Sequence, residues 1–162
     1  MSEKEIIKYS SGNLIKIIEN GLSITNKLLV PDRRALNIVH LDDHLLFARG
    51  VDNCILSKYP NAKIKNIQNG TDALAYILHC LYKHEKIDLI ITDVSHPGLD
   101  GISFSTILRE KETASNNRIP LLFITMHNDK SVVARIESIP FVKYLTKADG
   151  CLKITTAIEN LL

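Results

Sequence analysis

The chain has 162 residues, 45% apolar and 23% charged, with a formal net charge of +2. That length supplies one domain with a full hydrophobic core, and the composition excludes disordered and fibrous classes. No apolar stretch reaches membrane-spanning length, and the opening MSEKEIIKYSSGN lacks the apolar core of a secretory signal, so a cytoplasmic protein with no membrane partner is expected.

Residues 1–36 carry six Lys/Arg against four Asp/Glu, whereas residues 37–162 carry fourteen of each. A charge this small, with no Arg-rich tract, gives no expectation of nucleic-acid binding. Pro31-Asp32-Arg33-Arg34 marks the boundary. Before it, Leu14, Ile15, Ile17, Ile18, Leu22, Leu28 and Leu29 have roughly helical spacing, interrupted near Gly21, and predict a helical N-terminal extension over 1–36. The main domain is expected over 37–162.

Within that domain apolar runs alternate with amphipathic stretches five times. The first predicted strand is Asn37–Leu41, followed by a helix through Leu45, Leu46, Val51, Ile55 and Leu56 that ends at Tyr59-Pro60-Asn61. A strand at about 62–68 is followed by the turn Asn69-Gly70-Thr71-Asp72 and a helix through Leu74, Ile77, Leu78 and Leu81. The third strand, 87–92, is almost continuously apolar, as in a strand covered on both faces. After a loop over 93–101 come a helix at about 102–112 and a fourth strand, Leu121–Thr125. A short helix at about 130–138, a fifth strand at 141–145 and a final helix from Asp149-Gly150 to Leu162 complete the chain. Five strands alternating with five helices predict an α/β doubly wound five-stranded parallel sheet, because parallel strands need crossover connections. Cys54, Cys80 and Cys151 are odd in number, far apart and without a C-x-x-C pair, so reduced, mostly buried thiols are expected.

In such sheets ligands bind outside the carboxyl ends of the strands. Those ends carry Asp42-Asp43, Asp93 and Thr125, with Lys147 just past the fifth strand. Three carboxylates in one crevice repel one another unless a cation sits among them, and oxygen ligands with waters suit Mg²⁺, or Mn²⁺ in its place. A hydroxyl and an ammonium facing them suit the oxygens of a phosphoryl group, which makes this a phosphoryl-transfer site. Taken singly, Asp43 reads as a cap of the first helix, Asp149 as a cap of the last, and Lys147 as a solvated surface residue. Their coincidence at successive strand ends favours the site.

The motifs Leu41-Asp42-Asp43-His44, Asp88-Leu89-Ile90-Ile91-Thr92-Asp93, Pro97-Gly98-Leu99-Asp100-Gly101, Ile124-Thr125 and Tyr144-Leu145-Thr146-Lys147 resemble the response-regulator receiver family of two-component signalling. The resemblance covers 37–162 and implies a flavodoxin-like receiver fold. It implies that Asp93 is the phospho-acceptor, supplied by a sensor histidine kinase or a histidine phosphotransfer protein. It further implies that Asp43 ligates Mg²⁺ directly, Asp42 acts largely through water, and the Ser95 backbone carbonyl completes the shell. Thr125 and Lys147 would hold the phosphoryl oxygens, and Tyr144 would be the switch aromatic. The family's output face corresponds to about 130–162. Such a module is not an enzyme beyond its own phosphorylation and dephosphorylation.

Three positions depart from the family pattern, and two more bear on its rates. His96 replaces the usual Met before Pro97, Met126 is larger than the customary small residue, and Ala148 stands where many members have Pro. Ser95 and His127 occupy positions that help set the family's dephosphorylation rate. His40, His44, His96 and His127 near the crevice leave a transition-metal site as an alternative. With the last helix ending at Leu162, no DNA-binding domain is expected, although the segment Asp42–Gly50 resembles receivers that precede one. Output is expected through a downstream protein or onward phosphoryl transfer, and a homodimer through the N-terminal segment or the fourth-helix-to-fifth-helix face is a candidate arrangement. Two other functions are open. A degenerate receiver would bind proteins without phosphorylation, and an aspartyl-nucleophile phosphatase would need a second Asp where Ser95 stands.

Overall fold

The computed structural model of the chain describes Asp32, residues 34–112 and residues 118–162, together with Ile18–Glu19 and Leu22–Ser23. The helical expectation for 1–36 lies mostly outside the described residues. At the four described positions the chain is instead paired antiparallel, Ile18 with Ser23 and Glu19 with Leu22. Between them the sequence reads Asn20-Gly21, the dipeptide most favoured in two-residue hairpin loops.

The main domain runs β1 (Asn37–Leu41), α1 (Leu45–Lys58), β2 (Lys63–Ile67), α2 (Gly70–Tyr82), β3 (Leu89–Thr92), α3 (Gly101–Glu112), β4 (Leu121–Thr125), α4 (Lys130–Glu137), β5 (Val142–Thr146) and α5 (Cys151–Leu161). All five strands are parallel, in the order β2-β1-β3-β4-β5. The order reverses between β1 and β3, which is where a doubly wound sheet opens its crevice.

Alternate strand residues feed two separate cores, as a pleated strand requires. Val39, Leu41, Ile90, Leu121 and Phe123 pack with Ala73, Ile77, Phe104, Leu108 and Ile136 on one face. Ile38, Leu89, Ile91, Leu122 and Ile124 pack with Val51, Ile55, Ile154 and Ile158 on the other. Every residue of β3 and β4 is buried, which explains their unbroken apolar runs.

The expected boundaries shift where a side chain or backbone group takes over the ladder's work. β3 starts at Leu89, and Asp88 just before it clasps Asn37 of β1, donating its N–H to the Asn37 carbonyl and accepting the Asn37 N–H on its carboxylate, both at 2.8 Å. β5 starts one residue late because Phe141 is left-handed, with φ 56°, a conformation no strand accepts. Asn69 caps α2, accepting N–H groups from Thr71 and Asp72. Asp100 does the same for α3, with Ile102 and Ser103 both at 3.0 Å.

Two expectations are corrected. Asp149 does not cap α5; its carboxylate accepts from the Thr146 N–H at 2.8 Å and pairs with Lys153 at 2.6 Å, binding the turn back to β5. The thiols are not all reduced either. Cys54 of α1 and Cys151 of α5 are joined as a disulfide with their Cα atoms 5.4 Å apart, and Cys80 is free and buried. A separation of 97 residues hides that pairing from any local pattern; packing of α1 against α5 creates it.

Candidate functional site at the carboxyl ends of the strands

The strand ends lie level. Leu41 is paired with Thr92, and the Asp93 N–H donates to the Leu41 carbonyl at 3.1 Å, so Asp42 and Asp93 leave adjacent strands side by side. On the far side of β3, the Lys147 N–H donates to the Thr125 carbonyl at 2.9 Å, which carries the lysine over the end of β4.

Lys147 ties the site together. Its Nζ lies 2.7 Å from Asp42 Oδ2 and 2.7 Å from Asp93 Oδ2. The Phe47 ring, one turn into α1, covers the ammonium with its centroid 4.6 Å away. Phe47 is a contributor that sequence reasoning did not assign; its signal was an aromatic in the first turn after the acidic pair.

Asp42 and Asp93 are only 4% exposed. Burial alone would raise the Asp93 carboxyl's pKa. It is outweighed by hydrogen bonds from Lys147 and Thr125, the lysine's charge and the Val94 N–H, which together hold that pKa below the ordinary carboxylate value. Burial likewise works against the charged lysine, but hydrogen bonds and charge from Asp42 and Asp93 raise its pKa above the usual ammonium value. Both groups are therefore ionised at neutral pH.

The two acidic residues of β1 have different surroundings. Both oxygens of Asp42 are engaged, by the His44 N–H at 2.7 Å and by Lys147 at 2.7 Å. Asp43 is exposed, does not cap α1, and has its Oδ1 3.3 Å from His44 Nδ1. Asp42, Asp43 and His44 offer ligand atoms within 4.8 Å of one another. Asp42 and Asp93 share the Lys147 ammonium and Asp43 stands beside Asp42, which leaves two formal negative charges that a divalent cation would balance. The carboxylates are hard oxygen donors suited to Mg²⁺, with the His44 imidazole nitrogen beside them.

The structure separates the four histidines. His40 faces away with its strand neighbour Ile38 and bonds Asp52 of α1 at 2.7 Å. His96 has its Nε2 3.4 Å from the Thr92 hydroxyl, and its Nδ1 is buried without a partner. His127 Nε2 lies 2.7 Å from the Ser95 hydroxyl. His44 alone joins the acidic group among the described residues. A multi-histidine centre is thus not assembled. Met126 is turned to solvent, 73% exposed, and Tyr144 donates its hydroxyl to the His127 carbonyl at 2.9 Å.

The loop after Asp93 is held close by glycine. The Gly101 N–H donates to the Val94 carbonyl at 2.8 Å, and a Cβ at this position would collide with the Asp93 carbonyl.

A family model for the response regulator receiver domain matches residues 38–159. Among curated proteins, the chain is 28% identical over 125 residues to a glycerol metabolism activator of Pseudomonas putida, covering 77% of this chain and 53% of that one. It is 26% identical over 127 residues to the cyclic di-GMP phosphodiesterase response regulator RpfG of Xanthomonas campestris, covering 78% of this chain and 32% of that protein. The chain thus spans about half the length of the first relative and a third of the second. Its fold is similar to the signal receiver domain of the response regulator NarL from Mycobacterium tuberculosis, with a TM-score of 0.63, 24% identity and coverage of 78% and 95% of the two chains. It is also similar to the chemotaxis response regulator CheY4 of Vibrio cholerae, with a TM-score of 0.64, 18% identity and coverage of 80% and 100%. Matching motifs, sheet order and family model together place the chain in the response regulator receiver family, as the receiver domain of a two-component response regulator.

Proposed function

We propose that Asp93 accepts a phosphoryl group from a sensor histidine kinase or a histidine phosphotransfer protein, and that the acyl phosphate switches a protein-contact face. The observation that carries this reading is the Lys147 ammonium held 2.7 Å from both Asp42 and Asp93, at the ends of adjacent strands.

An Asp93 oxygen attacks phosphorus in line, and the donor's P–N bond breaks as the P–O bond forms. Lys147 and Thr125 are placed to hold the phosphoryl oxygens where negative charge collects. Asp43, Asp93 and the Ser95 carbonyl would hold Mg²⁺, or Mn²⁺, directly. Asp42, whose oxygens already serve protein donors, would act through water. The ion supplies charge neutralisation for the transferring group. Phosphorylation draws the Thr125 hydroxyl toward the phosphate and loosens the loop whose His127 carbonyl Tyr144 now holds; that change passes to α4, β5 and α5. Exposed Phe141 and Leu152 give that region apolar contact area for a downstream protein or a second copy. No described helix is long and apolar enough to cross a membrane. A cytoplasmic setting, where kinase domains act, fits this role, and the chain catalyses only its own phosphorylation and dephosphorylation.

Incubation with Mg²⁺ and acetyl phosphate, read by intact mass, tests the proposal. A labile adduct of one phosphoryl group is expected, absent from Asp93→Asn. No adduct in the wild type would favour a phosphorylation-independent binding module, and sustained turnover of phosphate esters would favour a phosphatase.

A further inference from the structure

We infer that Cys54 and Cys151 form a reversible disulfide, made by exchange with a low-molecular-weight disulfide of the glutathione type, and that its state sets how readily Asp93 is phosphorylated. The second half of this inference rests on the phospho-acceptor reading above; the first half does not.

Three features carry it. The pair is formed, with Cα atoms 5.4 Å apart, and the residues are accessible: Cys54 is half-buried and Cys151 exposed. Cys151 is also the first residue of α5, so its sulfur sits at the helix end whose unpaired N–H groups favour an anion. Accessible disulfides are the exchangeable class.

Placement gives the bond its consequence. Cys151 lies four residues after Lys147, across a turn held by the Asp149 N–H on the Thr146 carbonyl at 2.9 Å. Cys54 lies on α1, the helix that follows Asp42-Asp43 and supplies Phe47 against Lys147. The bond therefore ties the helix that follows the lysine's turn to the helix that follows the acidic pair. The remainder of the α1–α5 interface does not depend on it. Val51 and Ile55 pack in one core cluster with Ile154 and Ile158, and Lys58 pairs with Glu159 at 3.0 Å near the other end of α5. Reduction frees only the end of α5 next to Lys147.

The chemistry balances. The Cys151 thiolate attacks one sulfur of the small disulfide and expels one thiolate, leaving a mixed disulfide. The Cys54 thiolate then attacks the Cys151 sulfur and expels the second. Two protein thiols are oxidised, one small disulfide is reduced to two thiols, and the two thiol protons pass to the leaving sulfurs.

The test uses the full chain equilibrated in glutathione buffers of rising oxidised fraction, quenched by alkylation and read by intact mass and peptide mapping. Loss of two hydrogens with only Cys80 alkylated is expected in oxidising buffers, and three alkylated thiols in reducing ones. Three alkylated thiols at every ratio would overturn the inference, as would a bond involving Cys80 or one that no reductant opens. The oxidised and reduced forms are then labelled with acetyl phosphate and Mg²⁺. Labelling about tenfold slower on reduction is expected, the size of loss that small misplacements of a catalytic group produce. The double variant Cys54→Ser/Cys151→Ser should hold the slow rate in both buffers. Equal rates in the two forms overturn the coupling. No labelling in either form overturns the phospho-acceptor reading and the coupling with it, while the mass still decides the disulfide.

Discussion

Buried charge occurs at both ends of this sheet, and the two ends use it differently. At the amino ends of β4 and β5, Arg109 donates to the Pro140 carbonyl at 3.0 Å and the Ile119 carbonyl at 2.9 Å, and pairs with Glu112 at 2.5 Å. Glu112 in turn accepts the Ile119 N–H at 2.9 Å. One positive and one negative group are matched, and both also bond to backbone. At the carboxyl ends Lys147 faces Asp42 and Asp93 with Asp43 beside them, so negative charge is in excess. A matched pair bonded to backbone holds a structure together. An unmatched cluster, costly to keep in a fold, is expected where a ligand completes it.

Removing one partner at each end separates the two roles. Arg109→Ala removes the guanidinium paired with buried Glu112 and the donors to the Ile119 and Pro140 carbonyls, and should cost about 3–5 kcal/mol of stability, read by denaturant unfolding. Its phosphorylation rate per folded molecule should stay at the wild-type value. Lys147→Ala should do the reverse, slowing acetyl phosphate labelling by about a hundredfold or more while the chain stays folded. If Arg109→Ala silenced labelling in a folded protein, the division between the ends would fail.

The disulfide gives the next effect. Closing a loop of roughly a hundred residues limits the unfolded chain by up to about 4.7 kcal/mol in the entropy model, so reduction should lower Tm by on the order of 10 °C. Scanning calorimetry with and without reductant reads it. A smaller shift follows from the divalent ion: at a hundredfold excess over its Kd, Mg²⁺ should add about 2.7 kcal/mol to stability. Asp43→Asn should abolish most of that gain, and Arg109→Ala should not.

Acid and base read the carboxyl end directly in the presence of a chelator. The folded Asp93 pKa lies below its unfolded value, so its contribution is present above about pH 4 and is lost as pH falls through the folded value. The folded Lys147 pKa lies above its unfolded value, so its contribution is full below about pH 10 and disappears as pH rises through the folded value. A stability plateau between those limits is expected, with a shallower acid limb in Asp93→Asn. The smallest effect belongs to the surface: Lys153→Ala breaks an exposed pair with Asp149 and should change stability by no more than about 0.5 kcal/mol.

The carboxyl end was the more legible region because its chemistry sits at fixed points of a periodic pattern. Each apolar run locates a strand, and its last residue or the next one is delivered to the crevice, so Asp42, Asp93 and Thr125 could be placed together before any contact was known. Lys147 needed only the turn after β5. What the pattern left out depends on partners distant in sequence. Arg109 meets carbonyls about thirty residues on, Cys54 meets Cys151 across 97 residues, and Phe47 meets Lys147 only because α1 lies alongside the β5–α5 turn. Periodicity says which face of a helix is inward without saying what it meets. Asp149 shows the same limit: its position before a helix signals a cap, but a nearby lysine and the end of β5 compete for the carboxylate and win.

The most direct measurement locates the phosphoryl group chemically. The chain is labelled with acetyl phosphate and Mg²⁺, treated with borohydride, which reduces an acyl phosphate to an alcohol, and digested for peptide mapping. Homoserine at position 93, formed with Mg²⁺ and absent when the metal is chelated, is the predicted result. A borohydride-resistant label on Ser95 or His127, or labelling that ignores the metal, would contradict it.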